Sequence, residues 1–187
     1  MSEQIMIVYS QLTKLEFVWR KRMEVRLIPY QEEIEIATNL IIKFWQEHNH
    51  FTPSYEDACA DLKEWTKPGH CLYFISHNSE YIGFVHLGSR GCEVDWLEDI
   101  FVLPEFQGKG IGSRAIQLAE DIVKEYSESL YIEVAARNMK AIRLYQRIGY
   151  NCLNTITIRK DFHPEKCETI SNERIMQMDF DVKRYKE

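Results

Sequence analysis

The sequence predicts a mixed α/β (α+β) domain, with a mixed, mostly antiparallel sheet of about seven strands flanked by about four helices. Three observations lead there. Apolar alternating segments joined by short turns fill residues 71–103, the pattern of an antiparallel meander. Residues 32–46, 54–65 and 111–126 repeat their apolar side chains at helical spacing. From residue 130 onward, short alternating segments and one short helix follow each other without a linker or an internal repeat.

Taken in order, residues 1–22 form an extension that precedes the regular pattern, with a short strand at 5–9 or a turn or two of helix around Leu12–Trp19 as alternatives. Residues 23–187 then read as one domain. Residues 24–29 alternate and stop at Pro29. Ile34, Ala37, Leu40, Ile41, Phe44 and Trp45 mark a helix, broken by 48–53. Ser54 with Asp57 three residues on is a loose capping box that opens a second helix, ended by Pro68-Gly69. Residues 71–76 and 81–87 are strands around an Asn78-Ser79-Glu80 turn, and 93–103 is a third, long strand. The helix from 111 to 126 presents Ile111, Ala115, Leu118, Ala119, Ile122 and Val123 on one face. Residues 130–134 alternate as a strand. Residues 139–148 form a short helix stopped by Gly149. Residues 150–159 alternate as a strand, 161–172 read as a polar loop, and 173–180 as a last strand.

Composition narrows the function. The chain has 187 residues, 45% of them hydrophobic, and 23 basic against 29 acidic side chains give a net charge of −6. That balance argues against a nucleic-acid partner, which calls for a cationic footprint. No apolar run approaches the roughly 18 residues that cross a bilayer, so no membrane partner is expected. The 5 cysteines are odd in number and none is spaced CxxC, which speaks for reduced thiols. The first 22 residues lack the pattern of a signal peptide, and a cytoplasmic location is expected. His48, His50, Cys59, His70 and Cys71 do not have the spacing of a zinc module, nor do His163 and Cys167; no metal is expected. Asp57 and Asp61 share one helix face, read as solvated with an amine pocket as the alternative. Phe44, Trp45, Phe51 and Tyr55 read as core, with a pocket wall as the alternative.

The chemistry-bearing motif is Gln107-Gly108-Lys109-Gly110-Ile111-Gly112-Ser113, which leads from a strand into a helix. Its glycines let backbone approach a ligand, and the helix start offers unsatisfied N–H groups and a positive dipole end. That combination suits a phosphate or pyrophosphate, with Lys109 and Arg114 adding charge. The GxxxxGK[ST] P-loop is absent, and the third glycine is misplaced for the GxGxxG dinucleotide fingerprint.

Gln107-x-x-Gly110-x-Gly112, with Ile100-Phe101-Val102-Leu103-Pro104-Glu105-Phe106 before it, resembles the acyl-CoA signature of the GNAT superfamily of N-acetyltransferases. About 30 residues on, Asn138-x-x-Ala141-x-x-x-Tyr145-x-x-x-Gly149-Tyr150 is similar to that family's second motif. The resemblance covers residues 23–159 and implies the acyl-CoA N-acyltransferase fold, with a sheet that splays between its fourth and fifth strands. It implies acetyl-CoA as acyl donor. The pyrophosphate would lie on the amides of Gly108, Lys109, Gly110, Ile111, Gly112 and Ser113. The pantetheine would pair with Phe101, Val102 and Leu103, and Gln107 and Asn138 would belong to the same site. Val102 N–H would polarise the thioester carbonyl. Attack by the acceptor amine is direct, without an acyl-cysteine.

The resemblance further implies Tyr145 as the acid that protonates the departing thiolate, about two helical turns after Asn138. The family's frequent base position falls on Trp96, which cannot serve. Strand parity would put Glu98 on the face of Trp96, Ile100 and Val102, with Asp99 facing the other way. Leu97-Glu98-Asp99-Ile100-Phe101-Val102 is similar to a string of aminoglycoside 6′-N-acetyltransferases in which the glutamate is base or amine anchor. Both roles stay open for Glu98. The expected acceptor is a small cationic amine, a polyamine or an aminoglycoside-like molecule. The alternatives are a protein lysine or N-terminal amine, or a non-catalytic CoA-binding sensor. A homodimer through the edges of the last strands is left open.

Overall fold

The computed structural model describes residues 24–186, so the extension at 1–22 lies outside the described residues. The chain divides into two units, Met1–Ile132 and Glu133–Glu187. The first holds β1 (Val25–Pro29), α1 (Ile34–Asn49), α2 (Tyr55–Trp65), β2 (His70–His77), β3 (Glu80–Gly88), β4 (Trp96–Val102), α3 (Ile111–Val123) and β5 (Tyr131–Ile132). Its strands form one sheet in the order β1-β2-β3-β4-β5. β1 through β4 pair antiparallel, and β5 joins β4 in parallel. A parallel neighbour needs a crossover, which α3 supplies.

Local chemistry explains these elements. In α1, Ala37, Leu40, Ile41 and Phe44 recur at helical spacing and are buried. Ser54 and Asp57 close a reciprocal capping box at the start of α2, which satisfies two orphan helix donors. The β2–β3 turn places Asn78 and Ser79 at φ 51° and 68°, the left-handed pair that a two-residue hairpin prefers.

The two faces of the sheet are packed differently. On one, Phe44 meets the rings of Trp65, Phe84 and Phe101 at centroid distances of 6.1, 5.6 and 6.0 Å. On the other lies α3, with Ile111, Ala115, Ile116, Ala119 and Val123 buried. A β-carbon at Gly112 would stand 4.0 Å from Val102 Cγ2, so the start of α3 sits against β4.

The register of β3 on β4 corrects the parity expected from the sequence. His86 pairs with Asp99 but Leu87 pairs with Leu97, so Glu98 is the extra residue of a β-bulge. Directly paired residues share a face. Asp99 and Phe101 therefore share the face of Trp96, His86 and Phe84, while Ile100 and Val102 share that of Leu97. A bulge re-aims side chains and breaks period-two alternation, and nothing in the local composition announces it.

The second unit holds α4 (Met139–Arg147), β6 (Cys167–Ile175) and β7 (Met178–Tyr185), the two strands forming their own antiparallel sheet. The described residues thus contain seven strands and four α-helices, as expected, but in two sheets. Three sequence expectations fail here. Residues 151–160 form no strand: their Thr/Ile alternation finds no pairing partner, and Leu153 and Ile158 are exposed. The polar stretch 161–172, expected as a loop, contributes the first part of β6. The last strand, β7, starts and ends five residues later than expected, because the intervening turn is Met176-Gln177, at φ 51° and 65°. Neither residue is a turn former, so the hairpin is invisible in composition.

Candidate active site

β4, the turn after it and the start of α3 form one continuous structure. Gly83 on β3 allows the approach: a β-carbon there would fall 2.0 Å from the carbonyl oxygen of Phe101. Leu103 N–H donates to Ile82 O at 2.8 Å, toward β3. Strand alternation then turns the N–H and C=O of Val102 to the opposite edge. There Gln107 Nε2 donates to Val102 O at 2.9 Å. On that edge β5 pairs with β4 only at Trp96 and Leu97, and no other described strand continues the ladder. The β4–β5 ladder thus ends after two residues, and Val102 N–H points to the part of that edge beyond it.

The glycine turn is conformationally specific. Gly108 and Gly110 stand at φ 72° and 82°, where a side chain is strained. Gly110 is the N-cap of α3 and no side chain caps the helix. Its first turn closes with Arg114 N–H on Gly110 O at 3.0 Å. Ile111, Gly112 and Ser113 therefore have no acceptor within the helix for their N–H groups. The space a side chain at Gly108 would fill is open to 4 Å. These donors fit a pyrophosphate. Lys109 is turned away from such an anion, since its Nζ donates to Glu105 O at 2.7 Å and stands 5.3 Å from the centroid of the Phe106 ring.

Glu98 is engaged by Arg90. Nε donates to Oε1 at 3.0 Å and Nη2 to Oε2 at 2.7 Å, a two-point clamp. The Arg90 hydrogen bonds hold the Glu98 carboxyl below the usual carboxylate value, against an opposing push from burial. The same guanidinium carbon lies 3.9 Å from the centroid of the Trp96 ring, which stacks in turn on Tyr131 at 5.0 Å. A carboxylate and an aromatic face thus jointly hold a cation at the bulge of β4.

Sequence reasoning missed a second network. Asp99 Oδ2 lies 2.9 Å from His86 Nδ1, and His86 Nε2 lies 2.9 Å from His70 Nδ1. His86 is 3% exposed and stacks on Trp65 at 4.8 Å. These three residues come from three adjacent strands, so only the register could have joined them. The sequence raises His70 solely as a candidate metal ligand; among the described residues no group of metal-ligating side chains gathers.

Other candidates have structural partners. Asp57 is taken by the cap of α2, and Asp61 accepts from Trp45 Nε1 at 2.7 Å. Phe44 is core, while Phe51 and Tyr55 are exposed. In the second unit, Asn138 caps α4, its Oδ1 accepting from Ala141 N–H at 3.1 Å. Tyr145 lies on α4 with its ring 6.0 Å from that of Tyr150. Gly149, at φ 108°, ends the helix. Among the described residues no helix is long and apolar enough to cross a membrane.

A strand that hands its backbone to a glycine turn and an uncapped helix start, with Glu98 of the same strand clamped by Arg90, defines a phosphate-binding class of strand–turn–helix site. The profile of the Acetyltransferase (GNAT) family matches residues 37–150, and the chain belongs to that family. It is similar to spermine/spermidine N(1)-acetyltransferase of Bacillus subtilis (strain 168), at 33% identity over 73 residues, 38% of this chain and 45% of that protein. It is also similar to the [ribosomal protein bS18]-alanine N-acetyltransferase of Escherichia coli (strain K12), at 35% over 69 residues, 36% of this chain and 45% of the relative. The chain thus spans about half the length of these curated relatives. Among solved structures, the aminoglycoside N-acetyltransferase AAC(6')-Iy in complex with CoA aligns at TM-score 0.57 and 16% identity, over 75% of this chain and 96% of that one. This likeness bears on the fold.

Proposed function

We propose that the chain transfers the acetyl group of acetyl-CoA to a primary amine of a small cationic molecule, of the polyamine or aminoglycoside-like class. The observation that carries this reading is the cation already seated between Glu98 and Trp96, on the strand whose Val102 N–H faces the edge beyond the β4–β5 ladder. An acceptor ammonium would replace the Arg90 guanidinium there. The lowered Glu98 pKa favours the anchor role over the base role, since a carboxylate clamped by arginine is a weak proton acceptor.

The remaining residues divide the work. The N–H groups of Ile111, Gly112 and Ser113, with the glycines at 108 and 110, hold the pyrophosphate. Gln107 fixes Val102 O and so orients the Val102 peptide, whose N–H polarises the thioester carbonyl. Acetyl-CoA supplies the activated acyl group. Tyr145 donates its O–H proton to the departing thiolate; its support is its place in the Asn138–Tyr150 motif. Tyr145→Phe should lower kcat about 10²-fold and leave acetyl-CoA binding intact. An unchanged kcat refutes the role.

The test is free-thiol release from acetyl-CoA against polyamines, aminoglycosides, lysine peptides and peptides beginning with alanine. Turnover confined to the small cations supports the proposal. The similarity to a bS18-alanine N-acetyltransferase favours one second reading, a protein α-amine as acceptor, and turnover confined to the alanine peptides would establish it instead. Binding of acetyl-CoA without transfer to any amine would point to a sensor.

A further inference from the structure

An acceptor ammonium with a pKa near about 10 must lose a proton before it attacks, and Glu98 is committed to Arg90. Resting on the acceptor site proposed above, we infer that Asp99, His86 and His70 form a proton-accepting chain that ends at His70 Nε2 and deprotonates the amine held at Glu98.

The geometry fixes the direction of the chain. A carboxylate only accepts, so His86 Nδ1–H donates to Asp99 Oδ2 across 2.9 Å. With that hydrogen on Nδ1, His86 Nε2 is the ring nitrogen that can accept. His70 donates Nδ1–H to it across 2.9 Å. The remaining nitrogen of His70, Nε2, is left as an acceptor. Three strands fix this order: His86 pairs with Asp99 across β3–β4, and His70 pairs with Gly88 across β2–β3. Trp65 covers the buried His86 ring, which holds the middle of the chain still.

The chain ends beside Glu98. A β-carbon at Gly88 would stand 3.1 Å from Glu98 Oε1 and 3.2 Å from His70 Cε1, the ring carbon bonded to Nε2. Glycine at 88 leaves the gap that the carboxylate and the imidazole flank together. The titratable and charged groups around His70 are Glu64 of α2, Lys67 after it, His86 of β3 and Glu98 of β4, the last paired with Arg90. Burial first, then His86 and Lys67, holds His70 below the ordinary histidine value, with Glu98 and Glu64 opposing. It is therefore the unprotonated form that waits for the substrate at neutral pH.

The step balances. His70 Nε2 takes one proton from the ammonium and frees the nitrogen lone pair. The N–C bond forms as the C–S bond breaks. The second proton leaves the amide nitrogen for water, Tyr145 O–H protonates the thiolate and regains a proton from water, and His70 returns its proton to water. His70 is thus the catalytic base, and His86 and Asp99 are positioning residues that stabilise its imidazolium.

The test uses the full chain, spermidine as acceptor probe and imidazole nitrogen NMR. His70 should carry its proton on Nδ1 and titrate below 6.5, its unperturbed value. Asp99→Asn should move that titration lower still, because it removes the negative end of the chain. His70→Gln should lower kcat about 10²-fold and abolish the acid-side fall of kcat/KM, while acetyl-CoA still raises the Tm. Retention of kcat within about threefold, far short of general-base catalysis, would overturn the inference. So would a His70 that carries its proton on Nε2 in the unsubstituted protein. The tautomer is read without turnover, so a chain inert toward spermidine refutes the polyamine acceptor while the NMR result still decides the relay.

Discussion

The two flanks of β4 prepare for opposite charges by opposite means. Toward α3, the site is made of backbone: Val102 N–H, two glycines at positive φ and the first amides of a helix without a side-chain cap. Toward α2, it is made of side chains: Glu98 and Trp96 around a cation, and the Asp99–His86–His70 chain beside them. The first flank suits an anion of fixed shape that many acceptors can share. Under the proposed function the second is where acceptor choice would reside, because its side chains can be exchanged without changing the glycine turn.

The comparison can be broken on the donor flank first, where the effect is largest. Gly110→Val forces a β-branched side chain into φ 82° at the helix start. Acetyl-CoA should then fail to raise the Tm at any concentration that stabilises the unsubstituted chain. Retained stabilisation would remove the pyrophosphate from this turn. On the acceptor flank, loss of the base through His70→Gln should cost turnover but not donor binding. A kcat/KM profile that falls as pH drops through the depressed His70 pKa, and not near the carboxylate range, would separate His70 from Glu98 as the base.

Smaller effects sharpen the assignment. Glu98→Gln removes a charged partner of the ammonium and should raise the amine KM about tenfold to a hundredfold, the worth of a charge-assisted hydrogen bond. The KM for acetyl-CoA should not move. A loss in kcat at constant amine KM would return Glu98 to the role of base. Arg90→Ala should act in the opposite direction and more weakly, lowering the amine KM a few-fold by freeing Glu98 and Trp96, since an exposed ion pair is worth about 0–1 kcal/mol. A higher KM would mean that Arg90 builds the pocket instead of competing for it.

The same contrast explains what the sequence could and could not disclose. The donor flank needs glycine at 108 and 110 and an amphipathic helix immediately after, so local residue identities betray it. α1, α2 and the β2–β3 hairpin are legible for the same reason: the period of Ala37, Leu40, Ile41 and Phe44, the Ser54–Asp57 box and the Asn78-Ser79 turn are all local signals. The acceptor flank depends on register. The bulge at Glu98 reverses the face of Asp99, and His70, His86 and Asp99 come together only once three strands are aligned. Beyond α4, whose Asn138 cap and Gly149 stop are legible, local signals mislead. The alternation of 150–159 has no partner strand, and the β6–β7 hairpin turns at Met176-Gln177 without a residue that marks a turn.

The central claim is that the cation site at Glu98 receives the acceptor amine. The most direct measurement is steady-state thiol release from acetyl-CoA with spermidine and with neamine, in the unsubstituted chain and in Glu98→Gln. The account predicts turnover with at least one of these amines, and an amine KM that rises in the variant while the acetyl-CoA KM stays unchanged. Turnover confined to alanine-initiated peptides, or an amine KM indifferent to the charge at residue 98, would contradict it.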